Sequence, residues 1–257
     1  MQSRPLRRIK LTIEYDGSEF HGWQIQSNAH TIQAEMEDAV FKITGEKVRV
    51  TGAGRTDAGV HALGQVAHFD TSSVIPADKF KNALSAVLPA GVAVICSEEV
   101  DFNFHSRFSA TGKTYEYKIL NRPIRSPLME NRSWHIREAL DLKALKQAAE
   151  VFPGTHDFSS FCASGRIIYD FERRIYESEW NVQEDFLIYR VTGNGFLYNM
   201  VRIMVGTMAE VGMGKRKPES ISDILQGKNR DLAGITAPPQ GLYLVKVHYD
   251  QAFDGLE

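Results

Sequence analysis

The sequence predicts an α+β fold made of two successive units, and three observations carry that prediction. Period-two alternation of apolar residues marks strands along the whole chain. Helix-period stripes fall between only some of them, and short polar turns join others as hairpins, which argues against a parallel doubly wound sheet. The pattern then restarts near residues 101–108 with no low-complexity linker, so the units are expected to share a sheet or a broad interface. The expected domains are residues 1–104 and 105–257.

Taken in order, Arg8 to Tyr15 reads as a strand with Ile9, Leu11, Ile13 and Tyr15 on one face, ended by Asp16-Gly17. Thr31 is the expected N-cap of a helix to about Thr44, whose stripe is Ile32, Met36, Ala39, Val40 and Ile43 and whose stop is Gly45. Val48 to Ala53 and Gln65 to Asp70 are the next strands, separated by the glycine-rich segment Gly52 to Gly59. Pro76 to Leu88 reads as a helix and Val92 to Val100 as a strand. In the second unit, Thr114 to Leu120 is a strand and Leu140 to Phe152 an amphipathic helix. Ile175 to Val182, with Tyr176, Ser178, Trp180 and Val182 on one face, pairs with Phe186 to Thr192 across Gln183-Glu184-Asp185. A long apolar helix, Phe196 to Val211, a shorter one near Pro218 to Gln226, and a strand from Tyr243 to Tyr249 complete the reading.

Composition narrows the function classes. With 43% hydrophobic and 24% charged residues in 257, the chain is an ordinary globular mixture with room for a core. Lys and Arg number 30 against 32 Asp and Glu, a net charge of −2, so an anionic partner must be held by a local patch. Such a patch is present. Between Phe104 and Arg137, seven cations (Arg107, Lys113, Lys118, Arg122, Arg125, Arg132 and Arg137) face two anions, Glu116 and Glu130. Phe104, Phe108, Tyr115, Tyr117 and Trp134 are interleaved with them, a mixture that suits a phosphate backbone and an unstacked base, or simply a solvated basic face. Cys96 and Cys162 stand alone, which suggests reduced thiols and a cytoplasmic setting. Neither HExxH nor CxxC occurs, so no metal is expected. The basic stretch Met1 to Lys10 lacks a following apolar region, and Phe196 to Val211 contains Arg202 and is too short to span a bilayer, so neither a secretory leader nor a membrane partner is expected.

Three residues are singled out for chemistry. Asp57 lies in the glycine-flanked turn Gly54-Arg55-Thr56-Asp57-Ala58-Gly59, where it is either an exposed functional carboxylate or an Asx-turn anchor. Arg202 is the one charge between Phe196 and Ala209, on a helix apolar nearly all round. A buried guanidinium there needs a carboxylate from elsewhere in the fold, unless it snorkels to solvent or bonds carbonyls. Tyr115 shares a strand face with Tyr117, the usual signature of packing.

Together with their neighbours, these residues resemble the bacterial tRNA pseudouridine synthase A family. The matching segments are Leu11-Thr-Ile-Glu-Tyr-Asp-Gly17, Phe20-His-Gly-Trp-Gln24, Gly52-Ala-Gly-Arg-Thr-Asp-Ala-Gly-Val-His-Ala62 and Phe104-His-Ser-Arg-Phe-Ser-Ala-Thr-Gly-Lys-Thr-Tyr-Glu-Tyr117. Gly154-Thr-His-Asp-Phe158, Phe196-Leu-Tyr-Asn-Met-Val-Arg202 and Ala237-Pro-Pro-Gln-Gly-Leu242 follow in family order.

The resemblance implies two α+β domains of the pseudouridine synthase fold, joined through a continuous, mainly antiparallel sheet flanked by helices, with an active cleft between them. It implies isomerisation of uridine at tRNA positions 38, 39 and 40 in the anticodon stem-loop, by a homodimer without cofactor or metal. Asp57 would be the nucleophile and Arg202 its partner. Tyr115 would lie against the target uracil, Arg55 would fill the space left by the flipped nucleotide, and Arg107 would contact the tRNA. Lys113 is placed with Arg107 on the basic face. Uridine must detach at N1, rotate and rejoin through C5, and an ionised carboxylate is a competent nucleophile for this. Attack at C1′, attack at C6 and a glycal route all remain open. The competing class, a non-catalytic RNA-binding module, explains the basic–aromatic segment but not Arg202 in an apolar helix.

Overall fold

The structure is a computed structural model that describes residues 5–164 and 169–249. Residues 1–4, with Arg4 of the basic N-terminal stretch, lie outside the described residues. In chain order the elements are β1 (Arg7–Tyr15), α1 (Ile32–Thr44), β2 (Thr51–Gly52), β3 (His61–Thr71), α2 (Phe80–Ser85), β4 (Val92–Val100), β5 (Gly112–Asn121), β6 (Trp134–Ile136), α3 (Leu142–Ala149), β7 (Gly154–Asp157), β8 (Glu172–Gln183), β9 (Phe186–Gly193), α4 (Met200–Gly212), α5 (Ser220–Gly227) and β10 (Leu242–His248). The chain divides into two compact units. One is built from the described residues up to Thr111 together with those from Leu244 on, the other from Gly112–Tyr243.

The first unit is a sheet in the order β4-β1-β3-β10, with β2 also paired to β3. β1 is antiparallel to both neighbours, Leu11 standing opposite Ala67 and Ser97. Its alternation works as read: Ile9, Leu11, Ile13 and Tyr15 are buried, as are Ile32, Met36, Ala39 and Val40 of α1 and Phe80 and Leu84 of α2. The Phe69 and Phe80 rings meet edge to face at 5.5 Å. Arg8 grips Asp70 across the β1–β3 ladder through two bonds of 2.7 and 2.8 Å, which holds the Asp70 carboxyl below its usual range.

Elements of the first unit differ from the sequence expectation, and the strand expected over 65–70 is longer, His61–Thr71. Thr31 precedes α1, but its side chain makes no capping bond; the first helical N–H groups, of Ile32 and Gln33, donate instead to the carbonyls of Gly22 and Trp23. The strand expected over 48–53 shrinks to Thr51–Gly52, because α1 takes the Val50 backbone: Val50 N–H donates to Glu37 and Gln33 donates to the Val50 carbonyl. The helix expected over 76–88 is a short 3-10 turn followed by α2 alone.

The second unit is an antiparallel sheet in the order β5-β9-β8-β7, with short β6 added parallel to β5. β8 and β9 form the expected hairpin, turning at Glu184 with φ +53°. The register slips between Ile175 and Glu177, so Ile175 is buried along with Trp180 despite their odd spacing, while Ser178, Trp180 and Val182 stay in one register. Ile175 and Trp180 are buried, whereas Val182 is 51% exposed. Trp180 leans on Tyr189 with ring centres 5.1 Å apart, and its N–H reaches the Met208 sulfur of α4, tying that helix to the sheet. Asp141 caps α3 by accepting from the N–H groups of Lys143 and Ala144. The apolar helix α4 starts at Met200, not Phe196, because Asn199 adopts a left-handed conformation, φ +59°. Among the described residues no helix is long and apolar enough to cross a membrane.

Candidate active site

In the first unit, Asp57 sits on a loop braced from three sides. Thr56, just before it, is buried, and its hydroxyl meets the Tyr15 hydroxyl of β1 at 2.8 Å. Burial pushes the Tyr15 phenol up to about 12, so it stays protonated as a hydrogen-bonding strut. Gln65 donates to the Gly54 carbonyl at 2.9 Å, and Val60 N–H closes the turn onto the Asp57 carbonyl at 3.1 Å. The third brace is the segment Phe20 to Gln24. Trp23 N–H donates to the Thr56 carbonyl and Gly59 N–H donates to the Phe20 carbonyl. Gly22, at φ +85°, passes so close to the Thr56 carbonyl that a β-carbon would collide with it. Gly52 lies flat against Trp23, its missing β-carbon falling 2.5 Å from the indole. The same segment supplies the carbonyls that satisfy the start of α1, so one short stretch links the helix end to the Asp57 loop. Asp57 is partly exposed at the crest, and Arg55 beside it is exposed with Nε bonded to Gln24 at 3.1 Å. This is how a rigid scaffold presents a chemical group on a loop.

In the second unit, β5 carries Lys113, Tyr115 and Tyr117. The two tyrosines divide the roles that strand alternation could not separate. Tyr117 is core: its ring lies against Gly241, its hydroxyl donates to the Pro238 carbonyl at 2.7 Å, and burial drives its pKa well up despite the opposing field of Arg202. Tyr115, 8% exposed, sits nearer the end of the strand with its ring edge-on to Phe196, centroids 5.1 Å apart. Arg202 projects from the first turn of α4 and is partly buried. Its Nε donates to the Ala237 carbonyl at 2.7 Å and its Nη1 to the Asn199 side-chain oxygen at 2.9 Å, while Ala237 N–H returns a bond to the Arg202 carbonyl. One of these bonds goes to a carbonyl, the alternative that the sequence left beside a carboxylate partner, and together they fix the plane of the guanidinium. The left-handed Asn199 both starts the helix and places that acceptor.

The basic stretch is not one uniform face. Arg122 pairs with Asp185 at 2.9 Å, Arg125 approaches Glu130 at 3.5 Å, and Lys118 lies over the Tyr243 ring at 4.3 Å. Arg107 is exposed in the first unit, and Lys113 stands opposite Gly193 in the second. Sequence reasoning missed the supporting residues Tyr15, Gln65, Trp23, Gln24 and Asn199. The one available signal was that Tyr15, Trp23, Gln24 and Asn199 lie in family-like segments in which no role was assigned to them. Among the described residues, no three His, Cys, Asp or Glu side chains gather as a metal site.

Residues 11–109 and 148–250 match the family model described as tRNA pseudouridine synthase. Among curated proteins, the tRNA pseudouridine synthase A of Thermoanaerobacter sp. (strain X514) is 49% identical over 244 residues, 95% of this chain and 100% of the relative. Its namesake in Ruminiclostridium cellulolyticum is 52% identical over 245 residues, again 95% of this chain and 100% of the relative. The namesake in Geobacillus sp. (strain WCH70) is 47% identical over 245 residues, 95% of this chain and 99% of the relative.

Proposed function

The chain belongs to the tRNA pseudouridine synthase family of isomerases, and on that premise we propose that it converts uridines at positions 38, 39 and 40 of the tRNA anticodon stem-loop to pseudouridine, with Asp57 as the nucleophile. The observation that carries this reading is the bracing of the Asp57 loop by buried Thr56, by Gln65 and by Phe20 to Gln24, which presents a carboxylate on a fixed backbone. The N1–C1′ bond of the target uridine breaks, the uracil turns, and a C5–C1′ bond forms; N1 gains a proton and C5 loses one, so no oxidant or reductant is needed. Asp57 supplies the attacking oxygen, and the bond it forms breaks again before the product leaves, so the carboxylate is regenerated. Arg202, its plane set by Ala237 and Asn199, pairs with that carboxylate, keeping it ionised and aimed.

Tyr115 offers a flat, rigid ring to the extruded uracil, edge-supported by Phe196. Arg55 fills the stack position that the base leaves, and Arg107 and Lys113 contact the phosphate backbone. The enzyme acts in the cytoplasm as a homodimer, without metal or organic cofactor. The test is to incubate the protein with an unmodified tRNA transcript and map pseudouridine along it. Product confined to positions 38–40 is expected; product elsewhere, or none, would overturn the assignment.

A further inference from the structure

Phe108 is a large apolar side chain that is 77% exposed, and it sits on a turn held by several hydrogen bonds. The turn is closed by Ser109 N–H donating to the His105 carbonyl and by His105 N–H donating to the Ser109 hydroxyl, both at 2.9 Å. The N–H groups of Arg107 and Phe108 both donate to His105 Nδ1, at 3.1 and 3.2 Å. The base of the turn is anchored by fully buried Ser106. Its hydroxyl donates to the Thr51 carbonyl, its N–H to His68 Nδ1, and its carbonyl accepts from the Tyr249 hydroxyl. The Phe108 ring lies along the His105 imidazole, centroids 4.4 Å apart and planes 33° apart, with the Arg107 guanidinium 5.6 Å from its centre. An apolar ring held in water on a rigid turn adds little to folding, but it is pre-organised for a planar ligand, and an arginine beside it suits the attached phosphate.

We propose that Phe108 is a second base-stacking platform, holding an unpaired tRNA nucleotide other than the target uridine while Arg107 takes that nucleotide's phosphate. The proposal rests on the tRNA-modifying reading above and adds a positioning residue to it. Stacking on a π-face is tolerant of base identity, so the platform orients the loop and does not select one sequence.

The test is steady-state kinetics on the tRNA transcript with Phe108→Ala, Phe108→Leu and Phe108→Trp. Phe108→Ala should raise KM by about tenfold, the scale of one lost base–aromatic stack, with kcat within about twofold of wild type. Phe108→Trp should restore KM and Phe108→Leu should not, because leucine keeps the apolar bulk and loses the plane. The salt dependence of binding should survive Phe108→Ala and weaken in Arg107→Ala, since only the latter removes a phosphate contact. A wild-type KM in Phe108→Ala, or rescue by leucine as good as by tryptophan, would overturn the platform. The wild-type control separates the two readings: an inactive wild type counts against the tRNA assignment, whereas an active wild type with an indifferent Phe108→Ala counts against the platform alone.

Discussion

The strut beneath Asp57 lends itself to a quantitative test. Tyr15 and Thr56 are buried, their hydroxyls 2.8 Å apart, and Tyr15 is also bonded by Gln65. Thr56→Val preserves shape and removes one bond, leaving the Tyr15 hydroxyl with Gln65. Stranding part of a buried hydroxyl costs about 1–2 kcal/mol. Tyr15→Phe removes the other partner at a similar cost. In the double variant the pair is replaced by apolar groups of the same shape, so the effects should not add, and a coupling of about 1 kcal/mol is expected. Urea unfolding of the four proteins measures it. Activity should respond more than stability. If the strut holds Thr56 and therefore Asp57 in register, a shift of the order of 1 Å at the carboxylate lowers kcat by up to about 100-fold with little change in KM. A coupling indistinguishable from zero, or single variants that lose stability while keeping full kcat, would refute the claim that this hydrogen bond positions Asp57.

Three further outcomes follow. Gly206→Ala places a β-carbon against the Ile235 carbonyl, so the 235–238 segment must move and take the Ala237 acceptor away from Arg202; a loss of about 1–3 kcal/mol by thermal unfolding and a larger fall in kcat are expected, and a fully active, fully stable variant would contradict this. On the proposed pairing of Arg202 with Asp57, Arg202→Met removes the cation that favours the carboxylate, so the acidic limb of the kcat profile should move to higher pH as the rate drops; an unmoved limb would break the pairing. Burial, reinforced by Arg8 and His105 and opposed by Asp70, pushes the His68 pKa down to about 4 from an ordinary 6.5. Between those values the unfolded chain binds a proton that the folded chain does not. Stability should therefore fall as pH drops from about 6.5 toward 4, by about 2–3 kcal/mol in all, and His68→Asn should flatten that slope in urea titrations.

What the sequence made legible was mostly what depends on single-element patterning. β1 and β4 are found where alternation puts them, and Gly45 ends α1 at φ +73°. The failures lie where a neighbouring element decides. The Val50 backbone is claimed by Gln33 and Glu37, which no local pattern reveals, and the bulge between Ile175 and Glu177 lets Ile175 be buried along with Trp180 despite their odd spacing. Asn199 cuts the apolar run before Arg202, and a left-handed asparagine carries no mark beyond its residue type. At the candidate site the residues that bear chemical groups were visible as types out of place: a carboxylate among glycines, an arginine in an apolar helix. Their supports were not, because Tyr15, Gln65 and Trp23 read as ordinary strand and loop residues until the fold brings them under Asp57.

The central claim is that the Asp57 carboxylate carries out the chemistry and the rest of the protein places tRNA against it. The direct measurement is the single-turnover rate of Asp57→Asn on an unmodified transcript, alongside its affinity for the same tRNA. The side chain keeps its shape and loses its charge, so pseudouridine formation should fall by roughly four orders of magnitude or more while the Kd for tRNA stays within about threefold of wild type. Substantial pseudouridine formation by a contamination-free Asp57→Asn preparation, or a loss of activity fully explained by lost binding, would contradict the account.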